Sequence, residues 1–188
     1  MFARTERLLL RPGWSEDAPA LYEAICDEGI VRNLARAPWP YRLEDAESFL
    51  AREAAHPLDA RWLIFLRTDG APRLAGSIGF GRTDDGKPEF GYWIARRFWG
   101  RGIATEAGGA IVGIARDALR LKRLEAGHFL DNPASGRVLA KLGFRPTGAV
   151  VRRFSRGRGE EAPCRLFELD LEAPAEAAAP ADSRAMAA

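Results

Sequence analysis

Cysteine and histidine are nearly missing from this 188-residue chain, with two of each. Cys26 and Cys164 stand far apart in no CxxC or metal-type spacing, which excludes a disulfide scaffold. His56 and His128 are equally distant, so neither a structural zinc site nor a metal cofactor is expected. Both cysteines read as small hydrophobes. No apolar run approaches the ~20 residues needed to cross a bilayer. The N-terminal Met-Phe-Ala-Arg-Thr-Glu-Arg lacks the hydrophobic stretch of a signal peptide. A cytoplasmic location with no membrane partner is the expectation. An excess of one charge is missing as well. Against 28 basic residues stand 26 acidic ones, for a net charge of +2, too balanced to demand a nucleic-acid partner.

What is present suits a folded domain. Hydrophobic residues make up 47% and charged residues 29% of the chain, so disorder is excluded for its bulk. A domain of this size buries roughly 70% of the surface its unfolded chain would expose. The last 16 residues, 173–188, hold nine alanines and two prolines and read as a disordered tail. Residues 1–172 read as a single domain.

Punctuation and periodicity divide that domain. Residues 6–11 read as a strand ended by Pro12 and Gly13. Ser15 is the expected cap of a helix reaching about residue 26, with Asp17 favouring its dipole. Pro38 and Pro40 make 34–41 a loop. A second helix starts near Glu44 and carries Ala46, Phe49, Leu50 and Ala54 on one face. Strands at 61–67 and 73–81 flank the Asp69-Gly70 turn. Asp84-Asp85-Gly86-Lys87 turns again into a third strand at 88–95. A long helix at 102–117, a strand at 122–128 and a helix from Pro133 to Leu142 follow. Asn132 or Asp131 caps that last helix and Gly143 ends it. Two strands, about 144–154 and 164–171, close the domain around a polar turn at 155–159. The pattern predicts a mixed α/β domain with helices over a largely antiparallel sheet.

The chemistry concentrates in residues 89–107, EFGYWIARRFWGRGIATEA. A strand runs into Arg96, Arg97, Gly100, Arg101 and Gly102, and a helix begins at once. Glycines let backbone N–H groups approach an anion closely. The helix N-terminus adds unpaired donors and a positive dipole. Together they suit a pyrophosphate, with the arginines supplying attraction. A P-loop is excluded because no Gly-Lys-Ser or Gly-Lys-Thr follows. A dinucleotide fingerprint is excluded by Thr105 at its third small position and by the residues separating strand and first glycine. A structural strand-to-helix corner is the bland alternative.

A second segment tips the balance: Asn132-Pro-Ala-Ser135 followed by Leu142-Gly143-Phe144. With it the chain resembles the GNAT superfamily of acyl-CoA-dependent N-acetyltransferases, and most closely its ribosomal-protein N-terminal (Rim-type) branch. The Arg/Gln-x-x-Gly-x-Gly/Ala signature is matched by Arg97, Gly100 and Gly102. Gly91-Tyr92-Trp93, Ala104-Thr105-Glu106-Ala107, the N-terminal Thr-Glu-Arg-Leu-Leu-Leu-Arg and the Pro-Tyr-x-x-Glu-Asp-Ala of 40–46 fit the branch. The likeness covers about residues 5–171.

The resemblance implies a GNAT fold: a mixed, mostly antiparallel sheet of about six or seven strands with about four helices, split by a V-shaped splay that holds acetyl-CoA. It implies transfer of an acetyl group to a primary amine by direct attack in a ternary complex. The pyrophosphate would rest on Arg97, Gly100, Arg101, Gly102, Ile103 and Ala104. The pantetheine would lie along Tyr92, Trp93 and Ile94. Many members use a tyrosine seven residues after the asparagine as general acid, and here Leu139 occupies that place. Ser135 is then the candidate acid, against a purely local first-turn hydrogen bond. Asn132 is a cofactor contact or an N-cap. Glu89 is the candidate base, since a partly buried carboxylate holds its proton more tightly; a salt-bridged or substrate-positioning glutamate is the competing role. Trp39 and Tyr41 would line the acceptor side or pack on the core. Trp93, Phe98 and Trp99 read as packing residues, His128 as a core or edge histidine, and the Arg152–Arg158 run as a solvated hairpin, with an acidic acceptor or partner as the alternative. Protein N-termini, polyamines and aminoglycoside-like amines are all acceptors of similar proteins. A homodimer could form through the C-terminal strand. A non-catalytic acyl-CoA-binding module on the same fold is the alternative function.

Overall fold

The computed structural model describes residues 1–52, 59–83 and 85–172. Ala54 of the expected second helix, His56, Asp84 of the second hairpin turn and the 173–188 tail lie outside the described residues.

A two-residue strand β1 (Ala3–Arg4) doubles back onto β2 (Leu8–Arg11). The expected 6–11 strand therefore starts late, because Thr5 makes a turn whose hydroxyl takes the Leu8 N–H at 3.0 Å. Ser15 does not cap a helix. Ser15–Asp17 form one 3-10 turn, and α1 (Ala18–Ile25) begins behind it. The reason is the Arg11 guanidinium, which points inward. Asp17 serves as its counterion at 2.7 Å on both oxygens and also takes the Trp14 N–H at 2.8 Å. A buried charge needs such a partner. Burial alone would raise the Asp17 pKa, yet the bonds from Arg11 and Trp14 hold it below the ordinary value.

A short α2 (Glu28–Val31) and then α3 (Leu43–Ala51) precede the meander β3 (Arg61–Leu66), β4 (Arg73–Arg82) and β5 (Pro88–Ile94). A long α4 (Ile103–Asp117), β6 (Arg123–Phe129), α5 (Pro133–Lys141), β7 (Arg145–Ser155) and β8 (Glu160–Asp170) complete the chain. Among the described residues the sheet has eight strands in the order β1-β2-β3-β4-β5-β6-β8-β7. β1 and the four-residue α2 are the elements too short for periodicity to reveal.

Consecutive residues of β3 and β4 are buried, so both faces of the sheet are covered. α1 and α3 lie over one face and α4 with α5 over the other. The core is continuous from Leu8 and Leu10 through Leu63, Ile64 and Ile78 to Ile111, Leu124 and Leu139. At about 25 cal/mol per Å² of apolar surface, each such side chain contributes about 1.5–3 kcal/mol. Among the described residues no helix is long and apolar enough to cross a membrane.

Every strand pair is antiparallel except β5 with β6, which are parallel. Their register is Glu89 with Glu125 and Phe90 with Ala126, and there it stops. β5 runs on to Ile94 beside β4, and β6 runs on to Phe129 beside β8. The sheet is thus split down its middle, as a splayed GNAT sheet requires.

Candidate active site

The split leaves one side of β5 without a partner strand. Ala95 donates its N–H to the Ala75 carbonyl at 2.8 Å. In an antiparallel ladder hydrogen-bonded pairs alternate, so Trp93 and Gly91 turn their backbone groups toward β4. Tyr92 and Ile94 turn theirs into the split. The Ile94 carbonyl is met there by the indole N–H of Trp99 at 2.6 Å. Trp99 is therefore no core packing residue: it is 46% exposed, and its ring carries the Arg96 guanidinium 4.6 Å above it. Trp93 and Phe98 are buried as expected.

Beyond β5 the chain makes a 3-10 turn, Arg96–Phe98, and reaches α4 through Gly100 and Gly102. Both glycines have left-handed backbones, with φ of +74° and +73°. A side chain there would be strained. No atom lies within 4 Å of where a Cβ of Gly100 would stand. Gly102 is the N-cap of α4, so the open first-turn N–H groups of Ile103 and Ala104 face the same side. The loop fits an anion by shape and dipole alone. Its arginines are less free than a polyphosphate clamp suggests. Arg96 grips Asp27 (2.7 Å to Oδ1) and Arg97 pairs with Glu23 at 2.9 Å. The Arg96 bond is the chief reason the Asp27 pKa lies below its usual value. The Arg101 side chain makes no ion pair among the described residues, and its carbonyl accepts from Arg7 at 3.1 Å.

Strand alternation puts Phe90, Tyr92 and Ile94 on the α4–α5 face and Glu89, Gly91 and Trp93 on the opposite one. On the first face the Tyr92 hydroxyl donates to Ser135 Oγ at 3.1 Å. This contact was not foreseen, because 43 residues separate the pair. Burial pushes the Tyr92 pKa up, and the Ser135 bond offsets only part of that rise. Leu139, where many GNAT members carry a tyrosine, is 2% exposed and belongs to the core. Asn132 is the N-cap of α5, its side chain accepting the Ser135 N–H at 3.4 Å. His128 is buried; its Nδ1 meets the Phe129 carbonyl at 2.8 Å and its ring stands against Phe167.

On the opposite face Glu89 does not stand alone. It forms an ion pair with Arg153 of β7. Burial works against the Arg153 charge, but the Glu89 bond and field outweigh it and raise the Arg153 pKa on balance. The expectation of a solvated arginine hairpin holds for Arg152 and Arg156, which stay exposed, and is corrected for Arg153 and Arg158. Arg153 pairs with Glu89, Arg152 with Glu161 at 3.2 Å, and Arg158 with both oxygens of Asp131 at 2.8 and 2.9 Å. The Arg158 side chain is 9% exposed and also donates to the Arg32 carbonyl at 2.6 Å. Ser155 donates to the Leu34 carbonyl at 2.8 Å and the Arg156 N–H to the Ala35 carbonyl at 2.9 Å. A Cβ on Gly157 would stand 2.7 Å from the Val31 carbonyl oxygen. The β7–β8 tip is thus latched onto the segment after α2. Of the two aromatics expected on the acceptor side, Tyr41 is 5% exposed and part of the core. Burial, with help from Asp45, pushes its hydroxyl up to about 12. Trp39 is 39% exposed.

The sequence of an acetyltransferase (GNAT) domain is matched over residues 7–145. The uncharacterized N-acetyltransferase YoaA of Bacillus subtilis (strain 168) is 32% identical over 160 residues, covering 82% of this chain and 88% of the relative. A GNAT-family acetyltransferase structure from Bacillus anthracis superposes with a TM-score of 0.77 at 23% identity, over 92% of this chain and 100% of that one. RimL, a ribosomal L7/L12 alpha-N-protein acetyltransferase solved with coenzyme A, gives 0.72 at 18% identity, over 90% and 98%. The last two likenesses speak for the fold.

Proposed function

The chain belongs to the GNAT acetyltransferase family, and from that premise we propose that it moves an acetyl group from acetyl-CoA to a primary amine by direct attack within a ternary complex. The observation that carries this reading is the split between β5 and β6, which ends at the two left-handed glycines before α4. A backbone edge for an extended amide-bearing arm thus runs straight into an anion-binding turn. Acetyl-CoA supplies, when bound, an acetyl group activated as a thioester.

The chain's own residues do the rest. The N–H groups of Gly102, Ile103 and Ala104 hold the pyrophosphate at the α4 N-terminus. The Tyr92 and Ile94 backbone aligns the pantetheine and offers a donor to the thioester carbonyl oxygen. Glu89, on the acceptor face, takes the proton that the ammonium must lose before it can attack. Arg153 fixes one carboxylate oxygen, Oε1, and leaves Oε2 for the amine or a bridging water.

Ser135 lies on the other face and serves the departing sulfur. Because Tyr92 donates to Ser135 Oγ, a lone pair of Ser135 is filled and its own proton is left to be given elsewhere. Polarisation by the tyrosine strengthens that donor. The raised Tyr92 pKa keeps the phenol protonated across neutral pH. Two hydroxyls thus stand in for the tyrosine replaced by Leu139. This favours turnover over a non-catalytic acyl-CoA-binding module.

The acceptor we propose is a protein N-terminus, on the strength of the Rim-type motifs. We assign exposed Trp39 to its approach; the C-terminal strand β8 is paired on both edges, so a second copy would abut the open edge of β7 instead. A cytoplasmic site of action fits this substrate pair. The test is thiol release from acetyl-CoA with a panel of peptides, polyamines and aminoglycosides. Turnover is expected with N-terminal peptides foremost. Coenzyme binding without thiol release for any amine would leave the non-catalytic module as the function.

A further inference from the structure

The side chains of two family-like segments have no role in the mechanism above: those of Thr5 and Arg7 at the N-terminus and that of Glu106 in the Ala104–Ala107 stretch of α4. The fold brings them together across about a hundred residues. Glu106 lies in the first turns of α4, with its own N–H on the Gly102 carbonyl at 3.0 Å. Its Oε1 accepts the Thr5 hydroxyl at 2.5 Å and the Arg7 N–H at 2.9 Å. Its Oε2 accepts Arg7 Nε at 2.7 Å and Nη2 at 2.6 Å. Burial would raise the Glu106 pKa, but the Thr5 and Arg7 bonds outweigh it and hold the carboxyl ionised below its usual range.

A carboxylate at this helix end is a liability for an anion site, since it occupies the same positive dipole. Arg7 cancels that charge, and it does more. Its Nη1 donates to the Arg101 carbonyl at 3.1 Å, and its Nη2 is 3.6 Å from where a Cβ of Gly102 would stand. The Arg101–Gly102 peptide is planar and trans, so its C=O and N–H point in opposite directions. Holding the Arg101 oxygen on Arg7 turns the Gly102 N–H outward, to where the pyrophosphate would lie.

We propose that Arg7, seated by Glu106 and Thr5, is a positioning residue for coenzyme binding that fixes the direction of the Gly102 N–H. The inference rests on the coenzyme reading above, so the experiment separates the two. Acetyl-CoA is titrated calorimetrically into the wild type, Arg7→Met, Arg7→Lys and Thr5→Val, in low salt and in 1 M salt. Arg7→Met is expected to weaken binding about 10-fold, with kcat at saturating acetyl-CoA unchanged. Arg7→Lys keeps the charge but lacks the fork that spans Glu106 and the Arg101 oxygen, so it recovers only part of the loss. Thr5→Val removes a single donor and costs about 2- to 3-fold, which keeps the test open if Arg7→Met folds poorly. The loss should persist in 1 M salt, where through-solvent attraction is screened within about 3 Å. Unchanged affinity in Arg7→Met and Thr5→Val, or a loss that vanishes in 1 M salt, overturns the positioning role. No binding by folded wild type overturns the coenzyme reading instead.

Discussion

The two ends of the site are built in different ways. The proposed coenzyme end is made of backbone. Its donors come from one continuous stretch, Tyr92 to Ala104, shaped by two left-handed glycines and a helix start. The proposed acceptor end is made of side chains. Glu89 waits on Arg153, Asp131 on Arg158, and the β7–β8 tip on carbonyls from Arg32 to Ala35. A site that binds what every family member shares can be written into one local turn. A site that must change with its substrate is assembled from surface segments that meet only in the fold.

The difference predicts how each end fails. Gly102→Asp should do the most damage: backbone strain of about 1–2 kcal/mol joins lost charge-assisted bonds of about 1.5–3 kcal/mol. Acetyl-CoA binding by calorimetry should fall at least 100-fold with the amine site intact, and binding within 10-fold of wild type would refute the backbone account. Glu89→Gln should cost about 100-fold in kcat/KM for the amine, as expected for loss of a general base. Its acetyl-CoA affinity should stay unchanged. If activity survives and only the melting temperature falls, Glu89 is a strut for Arg153 and not a base. Tyr92→Phe should lower kcat about 3- to 10-fold without moving the acetyl-CoA KM. Combined with Ser135→Ala, it should add nothing further, because the tyrosine acts through the serine.

Arg158→Met releases the latch. It should cost about 1–2 kcal/mol of stability and raise the amine KM several-fold, while coenzyme affinity holds. An equal loss at both ends would erase the distinction between them. The smallest effect is with pH, and it should be common to both ends. Glu106 and Asp27 at the proposed coenzyme end and Asp131 at the proposed acceptor end all have lowered pKa values in the folded chain. For Asp131 the Arg158 bond is the main cause. A carboxyl with a lowered folded pKa stabilises the fold above its unfolded pKa of about 4. That stability is lost as pH falls through the folded value. The melting temperature should be flat near neutrality and drop below about pH 4.5, with a shallower drop in Glu106→Gln.

Some sequence expectations met a competing physical demand. Ser15 has the chemistry of a cap, yet Asp17 was drawn to a buried arginine and a 3-10 turn formed. Arg153 near the end of β7 and Arg158 in the polar turn look solvated, but carboxylates 64 and 27 residues away claim them. Tyr41 and Trp39 are two residues apart in one loop, and only Trp39 stays at the surface. No spacing rule could have paired Tyr92 with Ser135.

The sequence by itself determined the longer elements and the glycine turn proposed to hold the coenzyme. Hydrophobic periodicity, turn glycines and caps act over a few residues, so Gly100 and Gly102 announce a left-handed turn and Asn132 an N-cap locally. Only the tertiary structure decided where the sheet splits, which hydroxyl meets Ser135, what partners Glu89, and why Thr5, Arg7 and Glu106 are there. Each of those depends on side chains tens of residues apart, and the energy that joins them exists only once the core has brought their strands and helices together.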